Sequence, residues 1–205
     1  MPGSPSTCGV CGQPLAGVPC PNTVCHVADR EFSEILTVSE DAEPMWELLC
    51  RYKYDEDKSC ADELAGLLVD FLRSHRDRVG RFDRVTTCAL YVGPQALRLW
   101  DHLRLVLDAA EHKDPQWPFA PDLITKAVPT GRFLGIGVEE RRAIAEGELR
   151  AALAVTEPAR VEGRRVLVID DVYSEGFSMR EMARALRRAG AVEVAGLVFC
   201  RRKGG

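Results

Sequence analysis

Two groups of residues in this chain have the types and spacing for chemistry. The first is Asp170-Asp171, which closes the apolar run Val166-Leu167-Val168-Ile169 and precedes Val172-Tyr173-Ser174-Glu175-Gly176-Phe177-Ser178. Adjacent carboxylates can accept hydrogen bonds from vicinal hydroxyls. A turn with hydroxyls and a glycine ahead of a helix offers backbone N–H groups and a positive dipole end to an anion. Together they suit a phosphorylated sugar, with ribose hydroxyls on the acids and a 5′-phosphate in the turn. The second group is Cys8-x2-Cys11 with Cys20-x4-Cys25, four thiols within the first 25 residues. Thiolates at that spacing suit a structural, tetrahedral Zn²⁺ site, with His26 as a substitute for Cys25 and with Gly9 and Gly12 allowing tight turns. A redox C-x-x-C would want a strand before it and a helix after it, and neither is evident.

The elements around the acids follow from pattern. An apolar run that does not alternate is the mark of a central parallel strand covered on both faces, so carboxylates at its end sit in a crevice. Ser178 and Glu181 have the S-x-x-E spacing of a capping box for the next helix. That helix turns Met179, Met182, Ala183, Leu186 and Ala189 inward and Arg180, Arg184, Arg187 and Arg188 outward, and Gly190 stops it. Val192 to Phe199 then returns as a strand, which completes a β-α-β unit. Arg201, Arg202 and Lys203 read as a solvated basic tail.

Upstream, Glu34 to Val38 forms a short strand. Pro44 suits the first position of a helix that buries Met45, Leu48, Leu49 and Tyr52. Ser59 is the N-cap of a second helix carrying Leu64, Leu67, Leu68, Phe71 and Leu72. Phe82 to Val92 is the first core strand. Gly93-Pro94-Gln95 then leads directly into a helix with Leu97, Trp100, Leu103, Val106, Leu107 and Ala110 on its apolar face. His112 to Pro121 is a proline-rich crossover in which Trp117 and Phe119 pack. Leu123 to Val128 is a further strand, and Gly135-x-Gly137 opens a hood loop before a helix rich in Ala and Glu that runs to Val155. Cys50, Cys60, Cys88 and Cys200 lie in apolar periodic segments, as small buried hydrophobes do.

At 205 residues the chain can bury a sizeable core. A net charge of -4 leaves no footprint for nucleic acid or for an anionic membrane. The first residues lack an apolar signal region and no run approaches membrane-spanning length, so a cytoplasmic protein is expected, in which disulfides are disfavoured.

Val166 to Ser178 resembles the phosphoribosyl-pyrophosphate (PRPP) binding motif of type I phosphoribosyltransferases: apolar strand, D-D, apolar, x, T-T-G-x-T. Ser174, Gly176 and Ser178 match the turn, while Glu175 replaces a small hydroxyl residue. A negative charge beside a phosphate is unfavourable unless the side chain points to solvent. Receiver domains place their acids early in a longer domain. A Walker B strand needs a G-x-x-x-x-G-K-[ST] that this chain lacks. The cysteine-rich start, the Lys53-Tyr54-x-x-Asp57 turn, and Thr130 with Glu140-Arg141 resemble the ComF-type branch of the same family.

The resemblance implies a mostly parallel twisted sheet flanked by helices, with a zinc module and connector over 1–40 and a phosphoribosyltransferase-like domain over 41–205. It implies that Mg²⁺ bridges the pyrophosphate and ribose hydroxyls of PRPP, that Asp170 and Asp171 hold the ribose, and that Val172 to Ser178 bind PRPP, with the Ser174 to Ser178 loop on its 5′-phosphate. The activity implied is transfer of the phosphoribosyl group to an unidentified acceptor with release of pyrophosphate. A catalytically inactive PRPP or nucleotide sensor is a second reading. A third is an accessory or scaffold protein in DNA uptake, working as a homo-oligomer or with a protein partner. The basic cluster expected after the first core strand is missing, with only Arg98 and Arg104 nearby, and Arg132, Arg141 and Arg142 supply charge in the hood.

Overall fold

Alternation along one strand organises the fold. The computed structural model describes residues 6–15, 18–40, 42–96, 99–131, 133 and 135–202. Leu97, Arg98, Arg132 and Lys203 lie outside the described residues.

Strands β1 (Ser6–Thr7) and β2 (Pro14–Leu15) pair antiparallel around the first two cysteines. Two single 3₁₀ turns, Thr23–His26 and Ala28–Arg30, lead to β3 (Ile35–Thr37). Helices α1 (Ala42–Tyr54), α2 (Cys60–Ser74) and α3 (Arg76–Val79) precede β4 (Arg84–Thr87). Then come α4 (His102–Lys113), β5 (Ile124–Lys126), α5 (Val138–Ile144), a π-helical stretch Ala145–Leu149, and α6 (Arg150–Ala152). The chain ends with β6 (Leu153–Val155), β7 (Arg165–Tyr173), α7 (Phe177–Arg188) and β8 (Glu193–Arg201).

The main sheet has the order β3-β8-β7-β4, and all of its pairings are parallel. Successive side chains of a strand point to opposite faces. Accordingly Val166 and Val168 join a core with α7, the knuckle cysteines and Phe32, whereas Leu167 and Ile169 join a second core with α1, α2 and α4. That double cover is the physical reason for the unbroken apolar run. The cysteine-bearing segment shares the first of these cores, and β3 extends the same sheet beside β8. Strands β5 and β6 form a separate antiparallel pair under the hood.

Several elements differ from expectation for local reasons. α1 is already helical at Ala42, so Pro44 sits within its first turn, where the missing N–H costs nothing; Met45, Leu48, Leu49 and Tyr52 are buried as the period predicts. The Ser59 side chain makes no capping bond and instead bonds Asp57. β4 has four residues, not eleven: after the Cys88 N–H donates to the Ile169 carbonyl (2.8 Å), the chain leaves the sheet. Gln95 takes a positive φ of 65°, and α4 starts only at His102, where Asp101 Oδ1 accepts the Arg104 N–H at 2.9 Å. The helix expected to run to Val155 stops at Ala152, and the next three residues pair with β5. Among the described residues no helix is long and apolar enough to cross a membrane.

Candidate functional site

β7 does not end at its acids. It runs on to Tyr173, so Asp170 and Asp171 stand within the strand and alternation sends them to opposite faces. Asp170 meets the Cys88 thiol at the end of β4, and its Oδ1 accepts the Asp171 N–H at 2.8 Å. Asp171 meets the other core's helices: it pairs with Lys53 Nζ near the end of α1, and His102 Nε2 at the start of α4 lies 2.8 Å from its Oδ2. The backbone carbonyl of His102 accepts the Tyr52 hydroxyl at 2.7 Å, and its ring meets the edges of Tyr52 and Trp100. Among the described residues its buried Nδ1 has no hydrogen-bond partner, while Nε2 faces Asp171.

This asymmetry separates the two acids electrostatically. Burial, reinforced by the neighbouring Asp171 charge, pushes Asp170 up to about 7. Burial opposes ionisation of Asp171 as well, but Lys53 and His102 outweigh it and hold this carboxyl far below the usual range. The ligand-free pair therefore carries one firm negative charge and one proton in play.

The turn after β7 is built around Gly176, whose φ of +87° favours glycine. A Cβ there would also lie 2.5 Å from the Tyr173 phenolic oxygen. α7 begins at Phe177 with no side-chain cap, so the predicted capping box does not form. Ser178 is already helical. Glu181 is fully buried and takes a bidentate contact from Arg150 at 2.7 and 3.0 Å. Arg180 does not point outward either: it is buried between Glu146 and Glu181 and ties the π-helical stretch to α7. Arg184 is half-buried and pairs with Asp29, while Arg187 and Arg188 are exposed.

Glu175 does not point to solvent. Its side chain is turned inward and only 10% exposed, with Oε1 2.7 Å from Arg141 Nη2 of α5 and Oε2 accepting the Ser174 hydroxyl at 2.6 Å. The inward carboxylate is tolerated because the hood supplies its counter-charge. The pair thereby joins hood to turn.

All residues from Asp170 to Ser178 line one cleft of about 740 Å³, within the usual range for small-molecule sites. Positive charge reaches this cleft from scattered elements: Lys53 from α1, Lys126 from β5, Arg141 from α5 and Arg202 after β8. Burial lowers the Lys126 pKa, and its Nζ donates to Thr130 Oγ1 at 2.7 Å. Arg202 stacks over Trp46 at 4.3 Å and Arg201 donates to the Cys11 carbonyl at 2.6 Å, so neither is a merely solvated tail residue. Arg104 is tied to Asp108 on its own helix. Glu140 is exposed, and Asp57 braces its own turn through Arg51 and Ser59. Sequence reasoning missed His102, Lys126 and Arg202, whose positions follow no local spacing.

The four sulfurs of Cys8, Cys11, Cys20 and Cys25 lie within 4.8 Å of one another. A tetrahedral zinc with arms of about 2.3 Å requires sulfur–sulfur edges of about 3.8 Å, and Cys11 and Cys20 are 3.7 Å apart. Hydrogen bonding from Cys25 first of all draws Cys11 down to about 5; burial pushes Cys20 up to about 11, and the Cys11 bond and burial push Cys25 higher still. Cys20 and Cys25 are thereby held as thiols beside Cys11, and a divalent cation would favour release of their protons. The donor set therefore fits a metal such as zinc. The His26 ring is occupied elsewhere, 2.7 Å from the Cys20 carbonyl.

A parallel sheet flanked by helices carries the acid pair and the turn at the start of α7, and both open on one cleft. Residues 117–205 match the phosphoribosyl transferase domain family. Over 197 residues the chain is 25% identical to the DNA utilization protein YhgH of Escherichia coli (strain K12), covering 95% of this chain and 83% of that one. A related protein of the same description from Salmonella typhimurium (strain LT2) is 25% identical over 199 residues, covering 96% of this chain and 84% of the other. Among solved structures, purine phosphoribosyltransferase from Pyrococcus horikoshii is 13% identical with a TM-score of 0.38, covering 82% of this chain and 86% of that one. The domain match covers the C-terminal part of the chain, and the similarity to the curated relatives extends over nearly all of it.

Proposed function

We propose that the cleft binds PRPP, or a ribose 5-phosphate ligand, together with Mg²⁺, and transfers the phosphoribosyl group to an acceptor with release of pyrophosphate. One observation carries this reading: Asp170, Asp171 and the whole turn to Ser178 line one cleft that also holds Lys53, Lys126 and Arg141. In this reading Asp170 and Asp171 accept hydrogen bonds from the ribose hydroxyls. The N–H groups from Ser174 to Ser178 and the first turn of α7 take the 5′-phosphate. As the acceptor's lone pair attacks C1 of the ribose, the C1–O electron pair leaves with pyrophosphate, whose growing charge must be neutralised.

Lys53 and Lys126 are placed to do this from outside the loop that lacks the basic cluster, and Lys53 becomes available once ribose hydroxyls replace it on Asp171. The carboxylates are hard oxygen donors compatible with Mg²⁺, which would add its own neutralisation of the pyrophosphate. Residues 1–40 act as the zinc module and connector, and 41–205 as the phosphoribosyltransferase-like domain of a cytoplasmic protein.

The inward Glu175 favours a second reading, a PRPP or nucleotide sensor, because a ligand phosphate must compete with a carboxylate already seated in the turn. The description of the relatives as DNA utilization proteins favours an accessory role in DNA use, with the cleft as its ligand-binding part. Calorimetric titration with PRPP and Mg²⁺ tests the main reading. Wild type should give binding heat and Asp170→Asn with Asp171→Asn should give none. Pyrophosphate release with one member of a panel of bases and amines would establish transfer, and absence of heat in the wild type would sink the proposal.

A further inference from the structure

Asn22 lies between the third and fourth cysteines of the knuckle, and it uses both ends of its amide. Oδ1 accepts the Val24 N–H at 3.1 Å and so caps the single turn that presents Cys25. Nδ2 donates at 2.8 Å to the carbonyl of Ser174, the first residue of the turn in the cleft, 152 residues further along the chain. The side chain is buried, at 8% exposure. Capping needs only the acceptor, so the donor directed out of the knuckle is an additional feature.

A second contact reaches the other end of the same turn. The Tyr173 hydroxyl lies 4.0 Å from the Cys25 sulfur on one side and against Gly176 on the other. The Tyr173 ring is buried and held edge-on by Phe32. The knuckle thus touches the turn at Ser174 through Asn22 and at Gly176 through Tyr173. Between these two points lie the peptide groups whose N–H vectors decide whether an anion is held.

We infer that Asn22 is a positioning residue for the anion-holding turn, through which the metal knuckle sets phosphate affinity without touching the ligand. The inference rests on the ribose-phosphate reading of the cleft only for its ligand. Cys20 and Cys25, which would hold the metal, would set the path between them; that path places the Asn22 amide, and the amide holds the Ser174 carbonyl and the plane of the next peptide. Loss of the donor frees that peptide to rotate while the knuckle stays closed.

Asn22→Asp keeps a capping acceptor for Val24 and carries no donor for Ser174, while Asn22→Ser keeps an acceptor and withdraws the donor by shortening the side chain. Both variants should retain about one zinc per chain by elemental analysis, as in the wild type. Amide hydrogen exchange of residues 174–176 in the ligand-free protein should accelerate about tenfold, and ribose 5-phosphate affinity should fall about tenfold, the worth of one part-buried hydrogen bond. Tyr173→Phe, which removes only the hydroxyl, should give a smaller acceleration in the same amides. Unchanged exchange in the zinc-loaded variants would overturn the inference. A wild type that ignores ribose 5-phosphate would overturn the ligand reading alone, and the exchange measurement would still decide the coupling.

Discussion

The knuckle and the acid pair both crowd anionic ligands into a small volume, and they resolve the repulsion differently. In the knuckle the influences on the thiols are one another, nearby peptide groups and burial. None of these influences is a counter-charge, and the donor set fits a metal that would supply one. At the acid pair the chain brings its own partners: Lys53 and His102 converge on Asp171, and Asp170 takes up the strain by holding a proton. The first arrangement suits an ion brought from outside. The second makes an empty cleft stable, but a ligand must displace what already sits there.

The largest expected effect is therefore at the knuckle. Stripping zinc, or Cys11→Ser, should lower the melting midpoint by about 10 °C or more, because structural zinc carries the folding energy of small modules and these cysteines share a core with Val166, Val168 and Tyr173. Differential scanning calorimetry with and without chelator measures it. A shift below about 2 °C would mean that the thiols close without a metal, and the contrast with the acid pair would fail.

At the acid pair the prediction concerns non-additivity. Lys53 and Asp171 have side chains 10% and 14% exposed, so neither charge is well solvated once its partner is gone. Asp171→Asn should cost about 3 kcal/mol and Lys53→Met about 2 kcal/mol, but the double variant should cost less than their sum because it leaves no orphan charge. Urea unfolding of the four proteins gives the cycle. Lys53→Met should also weaken PRPP more than ribose 5-phosphate, since only PRPP carries the pyrophosphate.

Glu175 is a smaller test of the same idea. Replacing it with Thr, the family's type at this position, removes a carboxylate from the turn and frees Arg141 to meet a phosphate. Ribose 5-phosphate should bind about fivefold to tenfold tighter, or about 1 kcal/mol. Equal or weaker binding in titration calorimetry would show that the Arg141 pair serves the ligand by holding the hood closed.

What could be read from the sequence divides along the range of the interactions. The covered strand, the inward faces of α1 and α7, the glycine stop at Gly190 and the four clustered cysteines follow from local period and spacing, which are properties of short segments. The partners of Asp171 come from residues 53 and 102, and the brace on Ser174 comes from residue 22. Such pairings are decided by how the elements pack, and no spacing encodes them. The capping box failed for the same reason: Ser178 and Glu181 have the right separation, but Arg150 offers Glu181 a buried bidentate contact that outweighs a backbone cap. The inward turn of Glu175 cannot be read from the sequence either, because its partner Arg141 lies 34 positions upstream, on a hood helix whose approach the turn does not encode.

The smallest effect isolates the proton on Asp170. In the folded protein this carboxyl titrates at about 7, against about 3.9 in an unfolded chain. Between those values the folded state holds a proton that the unfolded state has lost, so stability falls as pH rises from about 4 to 7 and is level above. Asp171 acts in the opposite sense: its depressed pKa contributes stability above about 4 that is lost on acidification. Asp170→Asn removes the first effect. The variant should be about 1 kcal/mol more stable than wild type at pH 8 and indistinguishable from it near pH 4. This is less than the full shift of about 4 kcal/mol implies, because the two acids share their titration. Urea midpoints at pH 4, 6 and 8 would show the gap opening with pH. A constant gap would mean that Asp170 is ionised throughout, and that Lys53 and His102 neutralise both acids rather than one.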